Sequence, residues 1–80
     1  MARIPVLMPK LGLTMAEAEI VEWKVAPGDR VQAGQVIFVI ETDKSANDVE
    51  ALDSGTVEAL LANAGDTVEV GATVAMLIAD

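Results

Sequence analysis

The composition of this 80-residue chain predicts one small domain that is stabilised by an aliphatic core. Hydrophobic residues make up 52% of it, and Trp23 and Phe38 are its only aromatic residues. It has no cysteine and no histidine, which excludes disulfides and Cys/His metal sites. The formal net charge of −8 argues against nucleic-acid binding, which needs a basic footprint. An acidic surface instead favours solubility or steering towards a basic protein partner.

Targeting and membrane segments are not indicated by the hydropathy of the sequence. The first ten residues lack an apolar stretch of signal-peptide length. The longest apolar run elsewhere covers residues 74–79, which is six residues and far too short for a membrane span. We therefore expect a cytoplasmic protein without a membrane partner, or a mitochondrial matrix protein if the source is eukaryotic.

Short Val-, Ile- and Thr-rich runs between turn residues predict eight strands and no helix. Pro5 lacks a backbone donor, so the first strand is expected at the edge of a sheet. In the second strand, alternation assigns Ala18, Ile20 and Glu22 to one face and Trp23 to the other. That alternation is imperfect, which indicates a bend or bulge. The predicted strands cover residues 4–8, 16–25, 30–32, 36–42, 45–51, 56–61, 67–69 and 73–78.

An internal repeat relates the two halves of the chain. The sequence GDRVQAG at residues 28–34 reappears as GDTVEVG at residues 65–71, an offset of 65 − 28 = 37 residues. Two copies of a strand–turn–strand unit can bury their apolar faces against each other. The sequence therefore predicts an all-β, flattened barrel or sandwich of two four-stranded sheets with pseudo-two-fold symmetry, a barrel-sandwich hybrid. Structural turn roles are assigned to Gly28, Asp29, Gly34, Gly65, Asp66 and Gly71.

A β-hairpin is predicted where the apolar run 36–40 ends in a polar turn. Lys44 lies at its tip, and the turn centre Asp43-Lys44 contains no glycine, unlike the favoured two-residue hairpin loops. A lysine in a turn is usually just solvated. The repeat, however, gives Asp80 the place in the second half that Asp43 has in the first. Because the halves are related by pseudo-two-fold symmetry, Lys44 and the chain end at Asp80 are expected at opposite ends of the molecule.

Three separated motifs resemble those of lipoyl domains from the acyltransferase components of 2-oxo acid dehydrogenase complexes. They are the segment 41–44 (ETDK), the two Gly-Asp-x-Val-x-x-Gly turns, and the opening segment 8–15 (MPKLGLTM), which is most similar to the pyruvate or acetoin dehydrogenase type. The resemblance covers essentially all 80 residues as one carrier domain, 1–80. It implies that Lys44 is an N6-lipoyllysine at the hairpin tip, with Glu41, Thr42, Asp43 and Ser45 flanking it for recognition.

Two positions depart from the pattern of that family. Ser45 follows the lysine where alanine is more common, a small-for-small change that we expect to be tolerated. Ala18 stands where the family usually has glycine. Alanine there is strained if the position requires a positive φ, and harmless if it is an ordinary strand position.

The resemblance also implies the cofactor and its partners. Lipoic acid, bound covalently to Lys44, supplies a dithiolane, and the domain itself contributes no catalytic residue and no metal site. The implied partners are a lipoate ligase or lipoyl transferase, a thiamine-diphosphate-dependent decarboxylase, the acyltransferase core and dihydrolipoamide dehydrogenase. We hypothesise that the acids near the tip help the modifying ligase and the decarboxylase component recognise the hairpin: Glu41, Asp43, Asp48 and Glu50.

Two other functions remain open from the sequence. A biotin carrier domain shares the fold and an apical lysine, but in that family the lysine typically lies between methionines, whereas Lys44 lies between Asp43 and Ser45. A module of the same fold could also act only through protein interaction, with Lys44 unmodified. The sequence does not identify the 2-oxo acid or distinguish an excised domain from a free-standing protein.

Overall fold

The computed structural model describes residues 2–11, 15–42 and 45–79. Within these ranges the chain forms eight strands and no helix, and every strand lies within two residues of its predicted bounds. No helix that could cross a membrane is found in the described part of the chain. The strands are β1 (Arg3–Leu7), β2 (Glu17–Trp23), β3 (Arg30–Val31), β4 (Val36–Glu41), β5 (Ala46–Glu50), β6 (Gly55–Leu60), β7 (Thr67–Glu69) and β8 (Thr73–Ala79).

The strands form two antiparallel four-stranded sheets, which confirms the predicted sandwich. One sheet has the order β1-β8-β6-β3 and the other the order β5-β4-β2-β7. β1 lies at a sheet edge, as Pro5 predicted, because a residue without a backbone N–H is tolerated there. In each sheet a strand of five residues, β1 or β5, lies at one edge, and a strand of two or three residues, β3 or β7, lies at the other.

The core between the sheets is aliphatic around one aromatic pair. Ile20, Phe38 and Ile40 are fully buried, and the Trp23 ring lies 4.8 Å from the Phe38 ring between centroids. The Trp23 indole N–H donates a hydrogen bond of 3.0 Å to the Ala62 carbonyl oxygen. This bond satisfies the polar atom of a side chain that otherwise contributes apolar area to the core.

The pseudo-two-fold symmetry predicted from the repeat is visible in the turns. Gly28 and Gly65 adopt left-handed backbone angles, with φ of 95° and 96°. Such angles disfavour residues with a Cβ, which explains the repeated glycine. In each turn an aspartate carboxylate accepts a hydrogen bond from the backbone three residues earlier. These bonds join Ala26 N–H to Asp29 Oδ2 at 2.9 Å and Asn63 N–H to Asp66 Oδ2 at 2.8 Å.

The bulges repeat with the same offset of 37 residues. The β2–β4 register shifts between Ile20 and Glu22, and the β6–β8 register shifts between Val57 and Ala59. The predicted irregularity of the second strand is therefore confirmed, and it belongs to both halves. A bulge places two residues opposite one and so changes which residues face the core.

The predicted face of Glu22 is wrong for this reason. Ala18 and Ile20 are buried, but Glu22 is exposed. Trp23, assigned to the other face, is half-buried and packs against the same core as Ile20. The extra residue at the bulge shifts the alternation by one, which brings the aromatic residue in and the carboxylate out. Simple period-two reasoning cannot locate that shift.

The register of the two sheets puts the β4–β5 hairpin and the chain ends at opposite ends of a molecule measuring 36 × 20 × 20 Å. The Ala79 end of β8 lies beside Gly55 and Ala2. Gly55 in turn pairs with Val31, close to the start of β4. β4 then runs away from this end to Glu41, where the hairpin begins.

Candidate functional site

The β4–β5 hairpin narrows to a closed neck one residue beyond the end of β4. Glu41 pairs with Ala46, and the Thr42 N–H then donates a hydrogen bond of 3.0 Å to the Ser45 carbonyl oxygen. Two residues, Asp43 and Lys44, connect Thr42 to Ser45 in the sequence. Both lie outside the described residues, so the assignments of Lys44 as attachment site and Asp43 as its flanking acid remain predictions.

The Ser45 carbonyl oxygen is the point where the neck contacts converge. It also accepts from the Thr42 hydroxyl at 3.3 Å and from the Asn47 side-chain amide at 3.4 Å. The same amide nitrogen lies 3.4 Å from the Ser45 hydroxyl oxygen. Asn47 was missed by the sequence reasoning. The available signal was an asparagine two residues after a turn, since its side chain readily bonds to nearby backbone groups.

The surface around the neck is open and acidic. Of the predicted flanking residues, Glu41 and Ser45 are exposed and Thr42 is half-buried. Strand pairing adds a carboxylate that the linear sequence did not associate with the tip, because Glu19 of β2 lies directly opposite Glu41 of β4. The predicted tip acids Asp48 and Glu50 are also exposed.

The β2–β4 ladder under the neck is one pair shorter than its symmetry equivalent. It ends at Glu19 opposite Glu41, whereas the β6–β8 ladder continues by one pair to Gly55 opposite Ala79. The residue of β2 that corresponds to Gly55 is Ala18 (18 + 37 = 55). No described residue other than glycine has a positive φ, so Ala18 is an unstrained, buried strand residue. This family departure is therefore harmless to the backbone.

A Cβ at the glycine position would press on the neighbouring strand. Built on Gly55, it would lie 3.1 Å from the carbonyl carbon of Ile78 and closer still to the carbonyl oxygen. In the other half, where alanine is present, the ladder stops one pair earlier. The Thr42 N–H still bonds to the Ser45 carbonyl, as the Ala79 N–H bonds to the Ala2 carbonyl in the related half, so only the pairing of Thr42 with β2 is missing.

The described residues contain no group of three or more His, Cys, Asp or Glu side chains that could hold a metal ion. What the hairpin offers is a narrow, hydrogen-bonded neck at one pole of the molecule, formed by Thr42 and Ser45. Such an arrangement suits the presentation of a side chain to other proteins.

Comparison with known proteins identifies the family. Residues 4–77 match the biotin/lipoyl family model, which is described as "Biotin-requiring enzyme". The chain belongs to this biotin/lipoyl family. The expected resemblance to lipoyl domains is confirmed by the relatives within it.

Two curated relatives are acetyltransferase components. One is the dihydrolipoyllysine-residue acetyltransferase component of the pyruvate dehydrogenase complex of Rhizobium meliloti (strain 1021), 45% identical over 78 residues, which are 96% of this chain and 17% of that protein. The other belongs to the acetoin cleaving system of Cupriavidus necator and is 45% identical over 74 residues, 92% of this chain and 20% of that protein. The chain therefore spans a fifth or less of these relatives.

A solved structure matches over nearly its full length. It is the lipoyl domain of the 2-oxoglutarate dehydrogenase complex of Azotobacter vinelandii, which is 31% identical and superposes with a TM-score of 0.76. The match covers 94% of this chain and 95% of that domain. The lipoyl-domain fold of this chain, a flattened sandwich of two four-stranded sheets, is thus established.

Proposed function

We propose that this chain is a lipoyl carrier domain of a 2-oxo acid dehydrogenase complex, with lipoic acid in amide linkage to Lys44. The observation that carries the proposal is the closed neck at the pole opposite Ala2 and Ala79, which leaves two residues to form the tip. The exposure of Glu41 and Ser45 fits an attachment point that a modifying enzyme has to reach.

When attached, the lipoyl group supplies a dithiolane that carries acyl groups and reducing equivalents by thiol–disulfide exchange. The role of the protein in this proposal is to hold the group at one pole of a rigid sandwich. Tethering raises the concentration of the group near each active site well above that of a free cofactor. The domain therefore contributes to the reaction by presentation and not by its own catalytic side chains.

The negative charge around the hairpin supports the recognition of this end of the domain by basic partner surfaces. Amide formation removes the positive charge of Lys44 and changes the formal net charge from −8 to −8 − 1 = −9. The facing carboxylates Glu19 and Glu41 then lie near a tip without a lysine cation. We propose that the lipoylating enzyme and the decarboxylase component both approach this acidic side of the hairpin. The acyltransferase core and dihydrolipoamide dehydrogenase complete the proposed set of partners.

Intact mass spectrometry of the protein from its native cells tests the attachment. The wild-type chain is expected to carry the added mass of one lipoyl group, and the Lys44→Ala variant is expected to carry none. Lys24→Ala is the matched control, because Lys24 is half-exposed on the body of the domain and pairs with Glu22 at 3.1 Å. It should keep the lipoyl mass. An unmodified native chain would overturn the proposal in favour of an interaction module.

Biotin is the alternative cofactor, since the family description itself names biotin. The neighbours of the lysine argue against it, because Asp43 and Ser45 stand where the biotin carrier family typically has methionines. The same mass measurement separates the two groups. A biotinyl adduct on the wild-type chain would replace the lipoyl proposal while leaving the carrier role intact.

A further inference from the structure

The neck of the hairpin contains contacts that the proposed lipoyl attachment alone does not explain. We propose that Asn47 and Thr42 are positioning residues for the lipoylation of Lys44, acting through the carbonyl of Ser45. This inference rests on the proposed function and deepens it, because it names residues that prepare the site for the modifying enzyme.

The contacts converge on the residue that is bonded directly to Lys44. The Ser45 carbonyl oxygen accepts from the Thr42 N–H at 3.0 Å, from the Thr42 hydroxyl at 3.3 Å and from the Asn47 amide at 3.4 Å. The Thr42 donors belong to the β4 arm of the hairpin and the Asn47 donor to the β5 arm. The orientation of the Ser45 peptide group is therefore held from both strands of the hairpin.

Asn47 is the residue whose presence most needs an explanation. It lies in the strand β5, where asparagine is disfavoured, and it is half-buried opposite Ile40. The symmetry-related residue is Ile4, which pairs with Leu77 in the same way and packs against the core. The half of the domain without the hairpin thus has an apolar residue at this position. The half with the hairpin has an amide that donates to Ser45.

Because only two residues join Thr42 to Ser45 in the sequence, few other contacts can restrict the conformation of Lys44. The Ser45 carbonyl belongs to the planar Ser45–Ala46 peptide group and the Thr42 N–H to the planar Glu41–Thr42 group. Holding these two groups therefore fixes the positions of the Thr42 and Ser45 Cα atoms, between which the two remaining residues connect. A segment that is held near its bound conformation loses less entropy when an enzyme binds it. The neck bonds therefore favour the binding of the hairpin by the ligase, which precedes the chemical step.

The chemical step itself needs nothing from the neck. The ligase first activates lipoate with ATP as a mixed anhydride with AMP, and pyrophosphate leaves. The unprotonated Lys44 amine then attacks the carboxyl carbon of this anhydride. The amide bond forms, AMP leaves, and the amine gives up a proton. Loss of a positioning contact is consequently expected to raise KM more than it lowers kcat.

The experiment compares lipoylation of the unmodified 80-residue chain by a lipoate–protein ligase supplied with ATP and lipoate. The test variant is Asn47→Ile, which installs the residue found at the related position 4, fills the half-buried site with an apolar side chain and removes the amide donor. KM is expected to rise about threefold to tenfold with kcat little changed. Thr42→Val, which removes only the hydroxyl, is expected to raise KM less.

A control variant separates the neck from general stability. Gln35→Ala removes the side-chain acceptor of the Gln32 N–H, a 3.1 Å bond in the turn before β4 at the far end, where the related residue is already Ala72. It is expected to be lipoylated with the KM of the wild type.

Amide hydrogen exchange provides a readout that does not depend on the ligase. In Asn47→Ile the Thr42 N–H should exchange several-fold faster, while core amides such as Ile40 keep their protection. An unchanged KM would overturn the inference whatever the exchange rate of the Thr42 N–H, and so would faster exchange throughout the core. Failure of the wild-type chain to accept lipoate would instead overturn the proposed function, so the two can fail separately.

Discussion

Gly55→Ala is the substitution for which the structure makes the sharpest stability prediction. Gly55 is buried in β6, and an added Cβ would lie 3.1 Å from the Ile78 carbonyl carbon and nearer still to its oxygen. These atoms belong to β8, which pairs with β1 on one side and β6 on the other and so cannot move away freely. The strain can be relieved only by separating β6 from β8 at their last pair.

The expected size of the effect follows from two opposing contributions. Overpacking against a fixed backbone costs about 1–3 kcal/mol, and the upper half of that range fits a clash with main-chain atoms. The lower flexibility of alanine in the unfolded chain offsets about 0.5–1 kcal/mol. We therefore expect a net loss of about 2 kcal/mol, which corresponds to a fall in melting temperature of roughly 8–16 °C for a domain of this size.

Urea unfolding monitored through Trp23 fluorescence measures this loss, because that residue is the only tryptophan and its ring packs against buried Phe38. The m-value should stay constant, since the surface exposed on unfolding is nearly unchanged. Ala18→Gly at the related position is the control, with an expected loss of about 1 kcal/mol from flexibility and the missing methyl group. A Gly55→Ala protein within about 0.5 kcal/mol of the wild type would refute the steric reasoning.

Three further predictions test the symmetry and the surface charge. Asp29→Ala and Asp66→Ala should each lower the free energy of unfolding by about 1 kcal/mol and by similar amounts, because their turn bonds are equivalent; clearly unequal losses in urea unfolding would contradict this. Gly65→Ala should cost at least about 1 kcal/mol because its φ is +96°, and a neutral effect would show that the turn adapts. Glu19 and Glu41 are like charges that face each other across β2 and β4, so Glu19→Lys should stabilise the domain by about 0.2–1 kcal/mol. The gain should shrink as salt is added, and no gain at low salt would count against repulsion between the two carboxylates.

The repeat in the sequence predicted the architecture well because turns and strand lengths are local properties. Gly28 and Gly65 have the same backbone angle, and all eight strands lie close to their predicted bounds. The face of Glu22 could not be predicted, because a bulge is decided by pairing with β4 and not by the β2 sequence alone. The approach of Ile78 to Gly55 is likewise a property of two strands far apart in sequence.

The candidate site was predictable in its position but not in its supports. The apolar run 36–40 correctly indicated the hairpin, and the repeat correctly indicated its distance from the chain end. Asn47 escaped notice because its value depends on the rotamer that brings its side-chain amide back to Ser45, two residues earlier on the same arm of the hairpin. The pairing of Glu19 with Glu41 required the register of two strands. Lys44 itself is inferred from the motif and remains to be tested by mass spectrometry.

The hydrogen bond of 2.8 Å from the Ala79 N–H to the Ala2 carbonyl has a mechanical consequence. β1 and β8 are antiparallel, with Arg3 opposite Ile78, so both strands present their outer ends on the same side. A force that pulls Ala2 away from Ala79 would open this ladder one pair at a time, as a zipper opens, and would not load all of its bonds together. The domain should therefore yield to tension at low force from the pole that carries its ends, with β1 leaving first, while the β4–β5 hairpin at the other pole still keeps its pairing.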